Sequence, residues 1–306
     1  MATSLWTIVL AAGAGRRLAS VTGGVPKQYW RPEGAQSLLE STLERLGSLA
    51  VPERTITIVD ETHRDHVRGL GQNGELGEIV YQPMDRGTAA GVLLPLAAVV
   101  AAAPDATVVI TPSDHGVEDD DCFRRGLRRA IGRVESGSSE IVLFGVQPSS
   151  VTMDFGWITP GDRGTVSGAE QFRRVQTFFE KPPLHEAFRL YASGAVWNTM
   201  VLVARASALL ELYRKHLPFH ADLMQSAHAF DTRDRDTFLR DWYPELPSAD
   251  FCRDLLTPSQ NLCLYTFPVE MGWSDLGTPD RMAEWMEMQR RPARMVLASG
   301  TIDQVA

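Results

Sequence analysis

Strand-like and helix-like stretches alternate regularly along this 306-residue chain, and this pattern limits the folds open to it. Short apolar, β-branched runs recur through the first half, and most are separated by longer segments that suit helices. The strand-like runs are Trp6 to Leu10, Thr55 to Val59, Glu78 to Tyr81, Thr107 to Thr111 and Glu140 to Val146, and the helix candidates are Ser37 to Leu49 and Ala89 to Ala103. This alternation predicts βαβ units and a largely parallel sheet covered on both faces.

The pattern changes after Gln147, where the strand-like runs become shorter. They lie at Phe155 to Thr159, Arg174 to Phe179 and Val196 to Val203, with helix candidates at Leu184 to Tyr191 and Ala206 to Lys215. This half predicts an antiparallel or mixed extension laid against the parallel half, with a ligand crevice between the two. No linker or repeat separates the halves, so residues 1–290 are predicted to form one composite domain, made of residues 1–147 and 148–290. Residues 291–306 would be a short C-terminal tail with room for a strand or two at Met295 to Ile302.

Composition argues against several classes of function. The 30 Lys and Arg residues against 38 Asp and Glu give a net charge of -8, which opposes binding to nucleic acid or to acidic membrane surfaces. Cys122, Cys252 and Cys263 form no C-x-x-C pair, so no disulfide framework or zinc ribbon is indicated, and a reducing cytoplasm fits best. The apolar run from Leu5 to Ala14 is far shorter than the roughly 20 residues that span a bilayer. The oligomeric state stays open, with a homo-oligomer among the alternatives.

A glycine-containing loop comes directly after the first strand. Gly13 and Gly15 stand where a backbone can approach a ligand closely, and cradling of phosphate by backbone N–H groups is the physical interpretation. Leu18 occupies the place of the third glycine in a Rossmann dinucleotide loop, and no Walker A pattern is present. The loop therefore predicts phosphate binding of another kind.

Cations lie in and shortly after this loop. Arg16 and Arg17 are followed by Lys27 in the segment Pro26-Lys27-Gln28-Tyr29. Together they could surround a triphosphate, although ordinary surface cations would look the same in the sequence.

The pattern G-x-G-x-R…P-K resembles the opening of the sugar-phosphate nucleotidyltransferases, and further segments resemble the mannose-1-phosphate guanylyltransferases among them. In order along the chain, the matching segments are Gln82-Pro83-Met84-Asp85-Arg86-Gly87-Thr88-Ala89-Ala90, Thr111-Pro112-Ser113-Asp114-His115, Phe155-Gly156-Trp157-Ile158, Phe179-Glu180-Lys181-Pro182, Trp197-Asn198 with Arg205-Ala206-Ser207, and Gly272-Trp273-Ser274-Asp275-Leu276-Gly277. The resemblance covers residues 5 to about 280. It implies a GT-A-like (Rossmann-like) α/β fold with a mixed, mainly parallel central sheet and a smaller antiparallel sugar-binding extension.

The resemblance also implies roles for particular residues, with the nucleotide bound by residues 1–147 and the sugar phosphate by residues 148–290. The catalytic cations would be Arg17 and Lys27; the nucleotide-binding residues Ala12, Gly13, Gly15, Arg16, Arg86, Gly87 and Thr88; the sugar-phosphate-binding residues Gly156, Glu180, Lys181 and Asn198; and the Mg²⁺ ligands Asp114 and Asp275. The role of Arg16 is inferred from its charge alone. The substrates would be a nucleoside triphosphate, GTP first, and a sugar-1-phosphate, mannose-1-phosphate first.

Such a reaction joins two anions, so the protein must neutralise charge and align atoms and needs no covalent nucleophile. Hard carboxylate oxygens suit Mg²⁺, although Asp114 could instead cap a helix and Asp275 could be a turn carboxylate. Asp119-Asp120-Asp121 could suggest a D-x-D metal motif, but acidic residues before a helical stretch are better explained by the helix dipole.

Several positions depart from the family pattern. Met200 and Asp154 stand where glycines are expected, and Gly87 stands in place of an asparagine. The loop from Gly15 to Tyr29 also resembles that of the cytidylyltransferases of isoprenoid and polyol-phosphate metabolism. Transfer of a cytidylyl, uridylyl or thymidylyl group to another sugar or polyol phosphate is therefore the alternative, followed by a GT-A glycosyltransferase or a non-catalytic nucleotide-sugar binder.

Overall fold

The computed structural model of this protein describes residues 4–32, 36–68, 70, 76–138, 140–162 and 171–289. The predicted tail 291–306, with its candidate strands at Met295 to Ile302, lies outside the described residues. Within those ranges, no helix combines the length and the apolar character needed to cross a membrane.

One mixed sheet runs through the described part of the chain. Its strands are β1 (Leu5–Ala11), β2 (Thr55–Asp60), β3 (Glu78–Gln82), β4 (Thr107–Pro112), β5 (Ile141–Val146), β6 (Gly156–Pro160), β7 (Phe172–Glu180), β8 (Val196–Arg205) and β9 (Leu262–Thr266). Their order is β3-β2-β1-β4-β8-β5-β9-β7-β6, and β6 also pairs with β8. The helices are α1 (Ala19–Thr22), α2 (Leu38–Leu46), α3 (Arg64–Arg68), α4 (Gly87–Ala102), α5 (Asp120–Glu135), α6 (Leu184–Ala192), α7 (Ala206–His216), α8 (Pro218–Ala227), α9 (Thr232–Trp242) and α10 (Pro279–Gln289).

The predicted division into a parallel part and a mixed part is confirmed. Strands β1 to β4 pair in parallel, with Ile8 of β1 opposite both Ile56 of β2 and Ile110 of β4. Strand β8 is antiparallel to both β4 and β5, and β6 and β7 add further antiparallel pairings. The sequence did not predict strand β9, nor that β8 would lie between two strands of the first half.

Both faces of the sheet are buried, as the near-continuous apolar strands predict. Ile8 of β1 packs on one face in a cluster that contains much of α4, whereas its neighbour Val9 packs on the other face with residues of α5 such as Leu127. The alternation of successive side chains explains why one strand serves two cores. The sheet edge at the carboxyl ends of the parallel strands is therefore held firmly between two helical layers.

The acidic run before α5 has the structural role expected from the helix dipole. The Asp119 side chain accepts a hydrogen bond from the Cys122 backbone N–H and is the N-cap of α5, with Asp120 and Asp121 in the first turn. A carboxylate in this position satisfies a free N–H group and interacts favourably with the helix dipole. The run thus stabilises the start of α5.

Candidate active site

The glycine-containing loop leaves the carboxyl end of β1 and is held from behind by the segment that follows it. Gln28 is buried, and its Nε2 donates to the carbonyl oxygens of Ala11 at 2.8 Å and Gly13 at 2.9 Å. The Tyr29 hydroxyl donates to the same Ala11 oxygen at 3.0 Å. Gly15 has a φ of +59°, and a Cβ there would lie 2.8 Å from the Lys27 backbone nitrogen. The loop therefore needs glycine at 15 in order to pack on the Pro26–Tyr29 segment.

Lys27 joins this loop to both candidate metal ligands. Its side chain is buried, and its Nζ lies 3.0 Å from Asp114 Oδ2 and donates to the Asp275 carbonyl oxygen at 2.6 Å. Burial alone would raise the pKa of Asp114, but the charge of Lys27, the neighbouring His115 and the hydrogen bonds to the carboxylate together hold that pKa below its usual value. Asp114 is therefore ionised at neutral pH. Its partner Lys27 forms an ion pair with no other acidic side chain among the described residues.

Asp114 and Asp275 are brought together by backbone pairing, although they are far apart in sequence. Gly116 and Ser274 exchange two hydrogen bonds of 2.8 and 3.0 Å, which places the end of β4 beside the Gly272–Gly277 segment. The Asp275 carboxylate is buried, and its Oδ1 accepts from Arg281 of α10 at 2.6 Å. The other end of the Arg281 guanidinium donates to Asp154 Oδ2 at 2.5 Å.

The donor set fits Mg²⁺ in a site that is completed by phosphate. Within the described residues, no group of three or more His, Cys, Asp and Glu side chains could by itself hold a metal ion. Two carboxylates close to the predicted phosphate-binding loop would suit Mg²⁺, since that ion is commonly bound through one or two carboxylates together with substrate phosphate and water oxygens.

His115 is a neutral neighbour of this pair that the sequence reasoning did not assign. Trp273 Nε1 donates to His115 Nδ1 at 3.3 Å, and His115 Nε2 lies 3.8 Å from Asp114 Oδ1. Burial lowers the pKa of His115 to about 4, despite the opposing charge of Asp114. The imidazole is therefore uncharged at neutral pH, and the cationic character of this part of the site comes from Lys27 and Arg281.

The remaining candidates on the nucleotide side lie at the loop and at the start of α4. Arg17 is exposed in a short 3₁₀ turn, Arg16–Leu18, and no hydrogen bond or ion pair engages it within the described ranges. Ala12 packs against the core that includes helix α4. Arg86 donates to the Pro244 carbonyl oxygen, so its guanidinium is engaged within the protein. Thr88 Oγ1 accepts from the Phe251 backbone N–H at 2.8 Å.

The candidates on the sugar side form a second group. Gly156 of β6 pairs with Glu180 of β7, and a Cβ at 156 would lie 2.6 Å from Glu180 Oε2. Lys181 Nζ is 3.2 Å from Glu180 Oε1, yet the Lys181 side chain remains 60% exposed and can reach a ligand. Burial raises the pKa of Glu180, against the opposing influence of Lys181. Asn198 on β8 is buried, and its Nδ2 donates to Cys252 Sγ at 3.4 Å.

Comparison with known proteins identifies the family. The sequence profile of the nucleotidyl transferase family matches residues 6–290, nearly the whole chain. The chain belongs to the nucleotidyl transferase family. A mannose-1-phosphate guanylyltransferase of Escherichia coli (strain K12) is 30% identical over 285 residues, which are 90% of this chain and 58% of that protein. One from Sinorhizobium fredii (strain NBRC 101917 / NGR234) is 29% identical over 94% of this chain and 56% of that protein.

This chain spans little more than half the length of those two relatives. Among solved structures, it is similar to the crystal structure of mannose-1-phosphate geranyltransferase from Thermus thermophilus, with a TM-score of 0.78 and 27% identity over 90% of this chain and 77% of that one. The fold predicted from the sequence is confirmed by this likeness.

Two of the three departures from the family pattern, Gly87 and Asp154, have structural explanations, whereas nothing in the structure explains Met200. Gly87 has a φ of +82°, and a Cβ there would lie 2.3 Å from the Ala249 carbonyl oxygen, so the asparagine of the pattern would not fit without a shift. Asp154 binds Arg281, which also holds Asp275. Met200 adopts a φ of +59°, a conformation in which the glycine of the pattern would be unstrained.

The structure brings two groups of the predicted residues together and adds three neighbouring residues that the sequence analysis did not assign. Lys27, Asp114 and Asp275 meet at one point, and Gly156, Glu180 and Lys181 meet at another. The additional residues are His115, Cys252 and Arg281. A signal for His115 was present, because it lies within the matched Thr111–His115 segment; Cys252 and Arg281 carry no local signal.

Proposed function

We propose that this protein transfers a nucleotidyl group from a nucleoside triphosphate to a sugar-1-phosphate and releases pyrophosphate. The first candidates are GTP and mannose-1-phosphate, giving GDP-mannose, because two relatives that match most of the chain bear the name mannose-1-phosphate guanylyltransferase. The proposal rests on the contacts of Lys27. This residue follows the predicted phosphate-binding loop, and its Nζ contacts the Asp114 carboxylate and the Asp275 carbonyl oxygen.

In the proposed reaction, an oxygen of the sugar-1-phosphate attacks the α-phosphorus as the bond to the departing pyrophosphate breaks. The backbone N–H groups of residues 12–15, together with Arg17 and Lys27, bind the triphosphate and stabilise charge on the leaving group. Lys181 holds the phosphate of the sugar, and Glu180 and Asn198 hydrogen-bond the sugar hydroxyls across the bare backbone of Gly156.

Asp114 and Asp275 would hold Mg²⁺, which when bound neutralises the charge of the phosphate oxygens. This role requires a carboxylate that is ionised at neutral pH, and the lowered pKa of Asp114 meets that requirement. In this proposal the protein works in the cytoplasm, which the absence of a disulfide or zinc-ribbon pattern among its cysteines supports, and its net charge of -8 argues against nucleic acid or an acidic membrane as partner.

Pyrophosphate release, measured with all four nucleoside triphosphates against a panel of sugar-1-phosphates and polyol phosphates, tests the proposal. We expect GTP with mannose-1-phosphate to be the most active pair and turnover to stop on chelation. If the protein preferred CTP, UTP or dTTP, the reaction would still be nucleotidyl transfer, but the substrates proposed here would be wrong. If the protein bound nucleotide sugar and released no pyrophosphate with any pair, it would instead be a glycosyltransferase or a non-catalytic nucleotide-sugar binder.

A further inference from the structure

Arg281 lies in the first turn of α10 and contacts both sides of the candidate site. One nitrogen of its guanidinium donates to Asp275 Oδ1 at 2.6 Å, and another donates to Asp154 Oδ2 at 2.5 Å. The carbon at the centre of the guanidinium lies 4.9 Å from the centre of the Phe155 ring, within the range of a cation–π contact. Asp275 is a candidate metal ligand, whereas Asp154 and Phe155 directly precede Gly156 on the sugar side. A single guanidinium therefore joins the two sides.

The orientation of the Asp275 carboxylate depends on Arg281. Within the described part of the chain, Arg281 is the only side chain that hydrogen-bonds this carboxylate, and Asp275 is only 8% exposed. The other oxygen, Oδ2, lies close to Gly277, where a Cβ would be 2.3 Å away. A carboxylate has about four lone-pair positions, so one hydrogen bond leaves positions for a metal ion. Carboxylates that bind metals are commonly held by hydrogen bonds of this kind, and Arg281 is placed to orient Asp275 in that way.

The segment that Arg281 contacts on the sugar side also touches the candidate sugar-phosphate lysine. The Phe155 carbonyl oxygen accepts from the Lys181 backbone N–H at 3.2 Å. Asp154 stands where the family pattern has glycine, and a glycine would offer Arg281 no carboxylate. The connection from Asp275 to the sugar side thus depends on a departure from that pattern.

We propose that Arg281 is a positioning residue, which orients the Asp275 carboxylate for the divalent ion and, through Asp154, fixes residues 154–156 relative to that carboxylate. This inference rests on the proposed function and deepens it, because it connects the metal ligand to the sugar-phosphate site. The planar guanidinium of arginine can bind two acceptors in a fixed geometry, whereas the ammonium group of lysine acts as a point charge. Arg281 therefore acts through its shape as well as its charge.

Calorimetric binding of GTP, once with Mg²⁺ and once with a chelator in its place, tests the hold on Asp275 without turnover. If the substrate panel favours another triphosphate, that one is the probe. For Arg281→Ala we expect the dissociation constant with Mg²⁺ to rise about tenfold, because losing the hydrogen-bond partner of a metal ligand commonly costs about 10- to 100-fold in affinity. The constant with the chelator should stay nearly unchanged, because it does not depend on the metal ligands. Arg281→Lys should recover only part of the loss, since it keeps the charge and not the fork.

The Asp154 contact is tested by the kinetics of the sugar-1-phosphate. For Asp154→Ala we expect the KM of this substrate to rise about fivefold, near the upper end of what a partly exposed ion pair contributes. Nucleotide binding with Mg²⁺ should change much less, because Arg281 still holds Asp275. Asp154→Asn should recover most of the loss, because its amide oxygen can still accept from Arg281.

Arg133→Ala is the matched control. Arg133 is also partly buried, binds the carboxylate of Glu140 and lies over the Phe172 ring at 5.3 Å. Glu140 precedes β5, which runs parallel to β4 because both are antiparallel to β8, so this ion pair lies at the edge of the sheet opposite to the candidate site. Arg133→Ala should lower Tm and leave unchanged both the effect of Mg²⁺ on nucleotide binding and the sugar-phosphate KM.

Three results would overturn the inference. Arg281→Ala could weaken nucleotide binding equally with Mg²⁺ and with the chelator, which would indicate a merely structural role. It could instead bind nucleotide with Mg²⁺ more tightly, which would show that Arg281 competes with the metal ion for Asp275. Full recovery by Arg281→Lys would show that charge alone matters.

Failure of the proposed function would look different, because the unmodified protein would then release no pyrophosphate with any substrate pair. The comparison of nucleotide binding with Mg²⁺ and with the chelator needs no turnover, so it would still decide the role of Arg281. If Mg²⁺ did not tighten the binding of any triphosphate by the unmodified protein, the positioning role would be rejected.

Discussion

Arg17 and Lys27 are both predicted to stabilise the transition state, but the protein holds them differently. Arg17 is exposed and has no partner among the described residues, so Arg17→Ala should leave Tm unchanged. Because charge builds up on the departing pyrophosphate, we expect kcat to fall about 10²–10³-fold while the nucleotide still binds, though more weakly. Steady-state kinetics with each substrate saturating, together with calorimetric nucleotide binding, measure this. If Arg17→Ala kept its kcat and only raised the nucleotide KM, the loop would be a binding cradle alone.

Lys27→Ala should lose a similar factor in kcat and, unlike Arg17→Ala, also lower Tm, since it leaves the Asp114 carboxylate and the Asp275 carbonyl without their partner. Arg16→Ala should have a milder kinetic effect. Arg68→Ala is a suitable control, because among the described residues Arg68 makes only an exposed ion pair with Asp65.

Lys181 is predicted to contact the sugar phosphate rather than the nucleotide. Lys181→Ala should raise the sugar-phosphate KM and lower the corresponding kcat/KM much more than it affects nucleotide binding, because a charge-assisted contact to that substrate alone is lost. Lys215→Ala, an exposed lysine of α7, is the control. An equal loss of nucleotide affinity would assign Lys181 to the other half of the site.

Asp275 is predicted to bind the divalent ion jointly with Asp114. Asp275→Asn should greatly reduce turnover at limiting Mg²⁺, because an amide oxygen is a weaker ligand for a hard cation than a carboxylate. Asp154→Asn is the matched control, since it removes the charge of the second carboxylate bound by Arg281 and keeps both candidate ligands. Near-normal rates of Asp275→Asn at limiting Mg²⁺ would contradict the assignment.

The start of α4 is packed closely against the backbone at Ala249. Gly87→Asn, which restores the residue of the family pattern, would bring a Cβ to 2.3 Å from the Ala249 carbonyl oxygen. We expect it to lower the free energy of unfolding by about 1–3 kcal/mol, as overpacking commonly does. Gly23→Asn is the matched control, because Gly23 has a similar φ of +65° and open space around it. The free energy of unfolding is measured by urea denaturation. If it fell equally in the two variants, the cause would be the backbone conformation and not the close approach to Ala249.

The sequence predicted the elements of the first half well, because each strand and helix there carries its own periodic pattern. It did not predict the position of β8 between β4 and β5, because strand order depends on pairing between distant segments. The same reason applies to the site. Gly15 and Asp114 lie in local motifs and could be found, whereas the Arg281–Asp154 contact joins residues 127 positions apart, and nothing in either segment signals the other.

The two halves of the chain share one sheet and the two large hydrophobic clusters on its faces. Strand β8 of the second half is hydrogen-bonded on both sides to strands of the first, and one hydrophobic cluster extends from Ile8 to Leu264. The candidate site depends on the same continuity, since Asp114 comes from the first half and Asp275 from the second. These contacts leave no natural boundary near residue 147 at which the halves could separate.

We therefore expect residues 1–290 to unfold as one cooperative unit, as the prediction of a single composite domain requires. Differential scanning calorimetry should show a single transition whose calorimetric and van't Hoff enthalpies agree. Nucleotide with Mg²⁺, at about 100 times the dissociation constant, should move that whole transition upward by the equivalent of about 2.7 kcal/mol, because the ligand binds only the folded unit. Lys27→Ala should show one transition as well, with a smaller ligand-induced shift. Two separable transitions, of which the nucleotide moved only one, would show that the halves fold independently despite the shared sheet.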